Sequence, residues 1–173
     1  LVEKVYENEK IINILEESIT TYLVKLAKCE MSDREKDIVA STFHVINDIE
    51  RIGDHAENIA DMAIEKMNKE ISFGEEATEE VVSMYNKTLE ALTLAIESYK
   101  NEDSEGAKSI SVIEERIDKY EKKLRNNNIK RLNEKSCNAN SSTMFLDLIS
   151  NLERIGDHSN NIAEAIKIGR AHV

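Results

Sequence analysis

The sequence predicts an all-α fold built from five long helices, and three observations carry that expectation. The 173 residues include no Pro, no Trp and only five Gly, so long stretches run without a helix breaker. Hydrophobic residues make up 40% of the chain and charged residues 33%, enough of each to give every helix a buried and a wet face. Apolar side chains recur at steps of three and four, the period of a helix rather than of a strand.

The first helix runs from near Leu1 to about Cys29, carried by Val5, Ile12, Leu15, Ile19, Leu23 and Leu26. Ser32 and Glu35 form an S-x-x-E capping signature that opens a second, which Val39, Phe43, Ile46, Ile49, Ile52, Ala56, Ile59, Ala63 and Met67 carry to about Ile71. Ser72 and Glu75 repeat that signature around Gly74 and open a third helix through Val81, Tyr85, Leu89, Leu92 and Ile96, which fades at "KNEDSEG". The fourth begins near Ser104 and follows Ile110, Ile113, Ile117, Tyr120 and Leu124 to about Asn133. After the polar stretch "NEKSCNANSS", a fifth runs from about Asn140 to Ile168, with Gly169 as its stop.

Charge and motifs exclude several functions. A net charge of -11 opposes a nucleic-acid partner, because a phosphate backbone is held by clustered Lys and Arg. Within the most basic stretch, Arg116 to Lys135, acids pair with bases at i,i+4 (Glu115 with Lys119, Asp118 with Lys122, Glu121 with Arg125), the pattern of a solvated helix face. No apolar run approaches the roughly 18 to 20 residues of a membrane span, and no signal-peptide pattern is present. Cys29 and Cys137 form no CxxC, so neither a disulfide framework nor a cysteine zinc site is expected. With no phosphate-binding glycine loop and no nucleophile paired with a base, the chain is read as a non-enzyme.

The string ERIGDH occurs twice, at Glu50–His55 and Glu153–His158. From Ile49 to Ala63 and from Leu152 to Ile166, nine of fifteen positions are identical, and five of those nine are Glu, Arg, Asp, His and Asn. Packing alone would preserve the apolar positions and let the polar ones drift. The preceding helices also align, Glu9, Asn13 and Glu16 with Glu114, Asp118 and Glu121. The duplicated unit is therefore at least a helix pair. A third helix precedes the second pair and nothing precedes the first, so the leading helix of the first unit is expected upstream of Leu1. The units are placed at 1–71 and 72–173.

Glu50 and Asp54 lie about 40° apart on the helical wheel, and Asn47 and Asp61 extend their stripe. Brought opposite one another by the partner helix, Glu114 and Asp118 would gather with Glu153 and Asp157 as four carboxylates. Clustered carboxylates repel one another unless cations or protons neutralise them, and oxygen-only ligands suit hard ions. The alternative is a metal-free adaptor whose acidic stripes are merely solvated. His55 and His158 point about 140° from the Glu of their own string and lack the Glu-x-x-His spacing of ferritin-like iron sites, so each is read as a packing or hydrogen-bonding residue. Arg51 and His55 are the candidates for a separate cationic strip. His44 and His172 carry no signal. Gly53 and Gly156, each costing about 1 kcal/mol in a helix interior, imply that a backbone or ligand comes close.

Two copies of (Leu/Ile)-Glu-Arg-Ile-Gly-Asp-His-x-x-Asn-Ile-Ala, each preceded by a helix bearing Glu-x-x-x-(Asp/Asn)-x-x-Glu, resemble the PhoU family. The resemblance implies tandem three-helix bundles related by pseudo-two-fold symmetry, here lacking the first helix of the first bundle. It also implies a multinuclear iron or zinc cluster in each bundle and a regulatory role in phosphate uptake. Carried over by position, the resemblance implies Glu114, Asp118, Glu153 and Asp157 as the second set and Glu9, Glu50 and Asp54 as the first, where Asn13 stands in place of the expected Asp, so the first site should hold metal less tightly or not at all. Stand-alone members usually carry an Asp-Leu-Arg segment ahead of the ERIGDH helix, where this chain has "IVASTFHVIND" and "MFLDLISN", and the stretch "ITTYLVKLAKCEMSDREKD" is more similar to the PhoU-like cytoplasmic tail of bacterial sodium/phosphate cotransporters. The first expectation is thus a tail at the inner face of the membrane, acting on a transporter membrane domain, with a sensor kinase and a second copy of the chain as further partners. A stand-alone regulator is the second.

Overall fold

The computed structural model describes the backbone of residues 1–170 and the side chains of residues 1–166; His172 lies outside them. Five helices make up the described chain: α1 (Val2–Leu26), α2 (Asp33–Asn68), α3 (Glu75–Asn101), α4 (Ser104–Asn133) and α5 (Ala139–Arg170).

The capping box read at Ser32 forms as expected. The Ser32 backbone N–H donates to the Glu35 carboxylate at 2.8 Å, and the Glu35 backbone N–H donates to the Ser32 hydroxyl at 3.4 Å. The second S-x-x-E does not form a box, because the N-cap of α3 falls two residues after Ser72, at Gly74, which offers no side-chain hydrogen bond. Gly169 does not stop α5, which continues to Arg170. The ends of α2, α3 and α4 instead turn on left-handed residues that are not glycine: Glu70, Glu102 and Lys135, with φ of 51, 52 and 58°. Each turn is closed by a six-to-one backbone bond, Ile71 N to Lys66 O, Asp103 N to Ser98 O and Ser136 N to Arg131 O, at 2.8–3.0 Å.

The antiparallel pair α2 and α5 forms the centre of the molecule. α1 packs on α2, while α3 and α4 pack on α5 and on each other. The larger core lies among α3, α4 and α5, where Met84, Ala91, Ile117, Leu124, Phe145 and Ile149 are shut off from water. The smaller one, Leu23, Val39 and Ile46, ties α1 to α2. Tandem bundles follow, the first consisting of two helices.

Equivalent positions show what the third helix does. Leu124 of α4 is 0% exposed and its counterpart Ile19 of α1 is 39% exposed; Leu152 of α5 is 3% exposed and its counterpart Ile49 of α2 is 42% exposed. α3 covers the first member of each pair, and among the described residues no helix covers the second.

The repeated glycines have the same explanation in both halves. A Cβ on Gly156 would come within 3.1 Å of Ile117 Cδ1, and one on Gly53 within 3.3 Å of Ile12 Cδ1. What approaches is a neighbouring helix's side chain, not the backbone or ligand that the sequence suggested. Ile117 is locked at 0% exposure, whereas Ile12 is only half-buried. Gly156→Ala should therefore destabilise the fold by about 1 kcal/mol, overpacking outweighing the gain in helix propensity, whereas Gly53→Ala should be neutral or slightly stabilising. Urea unfolding of the two variants measures the difference.

Candidate metal centre

The ERIGDH spacing places its Glu and Asp one helical turn apart, and the glycine between them lets the partner helix close in. On α4 and α5 this brings single oxygens of Glu114, Asp118 and Asp157 within 4.8 Å of one another. The trio lies in a cleft of about 450 Å³ that Glu153, Arg154, His158, Asn160 and Asn161 also line. One Asp118 oxygen, Oδ1, is buried and accepts no hydrogen bond. A carboxylate oxygen removed from water and left without a donor fits an oxygen-ligated cation.

The electrostatics agree with this crowding. Burial, and then Asp157, push the Glu153 carboxyl up to about 7. Glu114 is raised by burial and then by Asp118, and Asp157 likewise by burial and then Asp118. Glu153 is thus next to the trio, although its oxygens fall outside the close group, so three of the four acids expected in this unit converge.

The first half is different. Asn13 donates its amide to Glu9, occupying an oxygen that the second half leaves to the cluster. Glu50 is raised by burial and then by Asp54, with Glu16 and Glu9 adding smaller amounts, so the acids share one seam. Among the described residues, however, Glu9, Asn13, Glu50 and Asp54 do not form a close ligand group. Two multinuclear sites were expected, and among the described residues the structure assembles one three-carboxylate group.

The histidines and asparagines of the repeat have another task. His158 Nδ1 lies 2.8 Å from Asp48 Oδ1, and Asn161 donates to the same oxygen at 3.0 Å. By the pseudo-dyad, His55 Nδ1 lies 2.9 Å from Asn151 Oδ1, which Asn58 also approaches at 3.3 Å. Asn151 turns its amide nitrogen to Asp147 O, so its oxygen faces His55 and the ring nitrogen donates. The two imidazoles stack with centroids 5.7 Å apart. These bonds cross between α2 and α5. The cationic strip proposed for Arg51 and His55 does not form, because Arg51 turns to Glu50 and Asp54, each at 3.7 Å. Asp48 and Asn151 were missed as partners, although the alignment pairs them seven residues before each histidine.

On α4 the expected ion pairs Glu115–Lys119, Asp118–Lys122 and Glu121–Arg125 are present. Arg131 departs from the solvated pattern: 12% exposed, it pairs with Glu80 of α3 at 2.8 Å and lies over the Phe145 ring.

A profile of the PhoU domain matches residues 1–63 and 81–166. The chain belongs to the PhoU family. It is 28% identical to the phosphate-specific transport system accessory protein PhoU homolog 1 of Thermotoga maritima, over 96% of this chain and 71% of that protein. The homolog from Clostridium acetobutylicum is 25% identical over 95% and 75% of the two chains. The crystal structure of PhoU from Pseudomonas aeruginosa aligns with a TM-score of 0.83 at 25% identity, covering 95% of this chain and 78% of that one. PhoU from Streptococcus pneumoniae shares the fold, with a TM-score of 0.84 over 99% and 80% of the chains. The Thermotoga and Clostridium relatives are described as accessory proteins of a phosphate-specific transport system, in line with the non-catalytic reading. No described helix of this PhoU-family chain is long and apolar enough to cross a membrane.

Two predictions follow from this geometry. Asp48→Ala leaves His158 and Asn161 without their acceptor and should cost about 2–3 kcal/mol in urea unfolding, with Asp48→Asn, the arrangement of the other half, recovering most of it. Folding raises the Glu153 carboxyl from its ordinary 4.5 to about 7, so the native state holds a proton that the unfolded chain has lost. Metal-free stability should then fall as pH rises from 4.5 to 7, and Glu153→Gln should flatten that slope.

Proposed function

We propose that this chain is a regulatory accessory protein of a phosphate transport system, and that the α4–α5 carboxylates hold a divalent or trivalent cation. The regulatory reading is supported by the family and by relatives carrying that description over about 95% of the chain. Because all of these relatives are accessory proteins, the stand-alone regulator replaces the cotransporter tail as the favoured reading. Its setting is the cytoplasm beside a transporter membrane domain, and its net charge of -11 favours basic docking surfaces. A sensor kinase and a second copy of the chain are further proposed partners.

The observation that carries the metal reading is the convergence of single oxygens of Glu114, Asp118 and Asp157 within 4.8 Å of one another, with one Asp118 oxygen buried and without a donor. The bound ion would neutralise these carboxylates and fix α4 against α5. Glu153 is the fourth carboxylate that a multinuclear iron or zinc cluster would draw on. In the first half, Glu9, Glu50 and Asp54 are the weaker counterpart, because the Asn13 amide brings no charge.

Calorimetric titration with Zn²⁺ should show one saturable site, weakened at least about tenfold by Asp157→Asn. Asn13→Asp should add a second binding event. An absence of binding in the unaltered chain rejects the metal reading and leaves the metal-free adaptor. The regulatory reading is tested by phosphate uptake at low and high external phosphate in cells with and without the chain, and uptake unchanged by its loss rejects it.

A further inference from the structure

We propose that Arg154 is a built-in counterion of the α4–α5 site, holding Glu153 and Asp157 in the metal-free protein and giving way when a cation binds. This inference rests on the metal reading above and concerns what regulates loading. Arg154 Nε lies 3.6 Å from Glu153 Oε2, and its Nη1 lies 3.3 Å from Asp157 Oδ2. Among the described residues, no other Lys or Arg forms an ion pair with either carboxylate; Asp118 has its own partner, Lys122, at 3.9 Å.

The same arrangement is built twice. Arg51 spans Glu50 and Asp54 at 3.7 Å each: it lies three residues before the Asp, on a neighbouring part of the helix surface, and its long side chain also reaches the adjacent Glu. Retention of Arg in both copies is not explained by packing, since Arg51 and Arg154 are 54% and 59% exposed.

A guanidinium stays charged at any working pH, so it competes with an incoming cation for the same lone pairs. Its exposure makes the pairing weak and its release to water inexpensive. Two consequences follow. The site binds its ion less tightly than the bare carboxylates would, and loading frees a basic group at the protein surface. Were Arg154 instead a positioning residue that orients the carboxylates, its removal would weaken the site.

Zn²⁺ titration of the full chain separates these roles. Arg154→Gln should bind about threefold to tenfold more tightly than the unaltered chain, while Arg154→Lys and the charge control Arg116→Gln, exposed on α4, stay close to it. The Arg154 Nε–H resonance, assigned by its loss in Arg154→Gln, should shift as Zn²⁺ saturates the unaltered chain. Zn²⁺ binding that is unchanged or weaker in Arg154→Gln, or an Nε–H resonance that does not move, overturns the counterion role while the metal reading stands. No Zn²⁺ uptake by the unaltered chain overturns both.

Discussion

The contact between Ile117 and the bare Cα of Gly156 sets how closely α4 and α5 run, and the carboxylate site depends on that spacing. With 3.1 Å between Ile117 Cδ1 and the place of a Cβ, even a methyl group at position 156 would force Ile117 to give by a few tenths of an ångström. The apolar contact therefore does electrostatic work: buried packing holds together acids that on their own would separate.

A second constraint links the halves. Each ERIGDH helix turns its Glu and Asp toward its own bundle and its His toward the other, since a five-residue step rotates the chain by about 140°. One short string thus builds a site on one face and half of a central interface on the opposite face. Asp48 and Asn151, one to each half, complete that interface. Both jobs explain why polar residues, and not only apolar ones, persist between the repeats.

The halves nonetheless differ in chemistry. The Asn13 amide turns to Glu9, and Ile12 is looser than Ile117, so the first half has neither the charge nor the tight seam of the second. Among the described residues no helix of the first half takes the place of α3, and Ile19 and Ile49 are exposed there. Site quality and third-helix cover thus go together.

Helix number and type were legible in the residues, because a 3.6-residue apolar period without Pro admits little else. The ends of α1 and α2 were each read three residues too far: α2 turns on left-handed Glu70 instead of on the glycine that usually marks a stop, and α1 is capped by Ala27 with no left-handed residue to mark its end. The acids of the second site were legible because a repeat preserved them on one stripe. The sequence by itself determined the secondary structure, the duplication and which side chains compete for one seam, all of them local or periodic properties. Only the tertiary structure decided that Glu114, Asp118 and Asp157 converge while Glu9, Glu50 and Asp54 do not, and that His158 finds Asp48. Those outcomes depend on how far apart two helices run and where they cross, distances set by packing between residues remote in the chain.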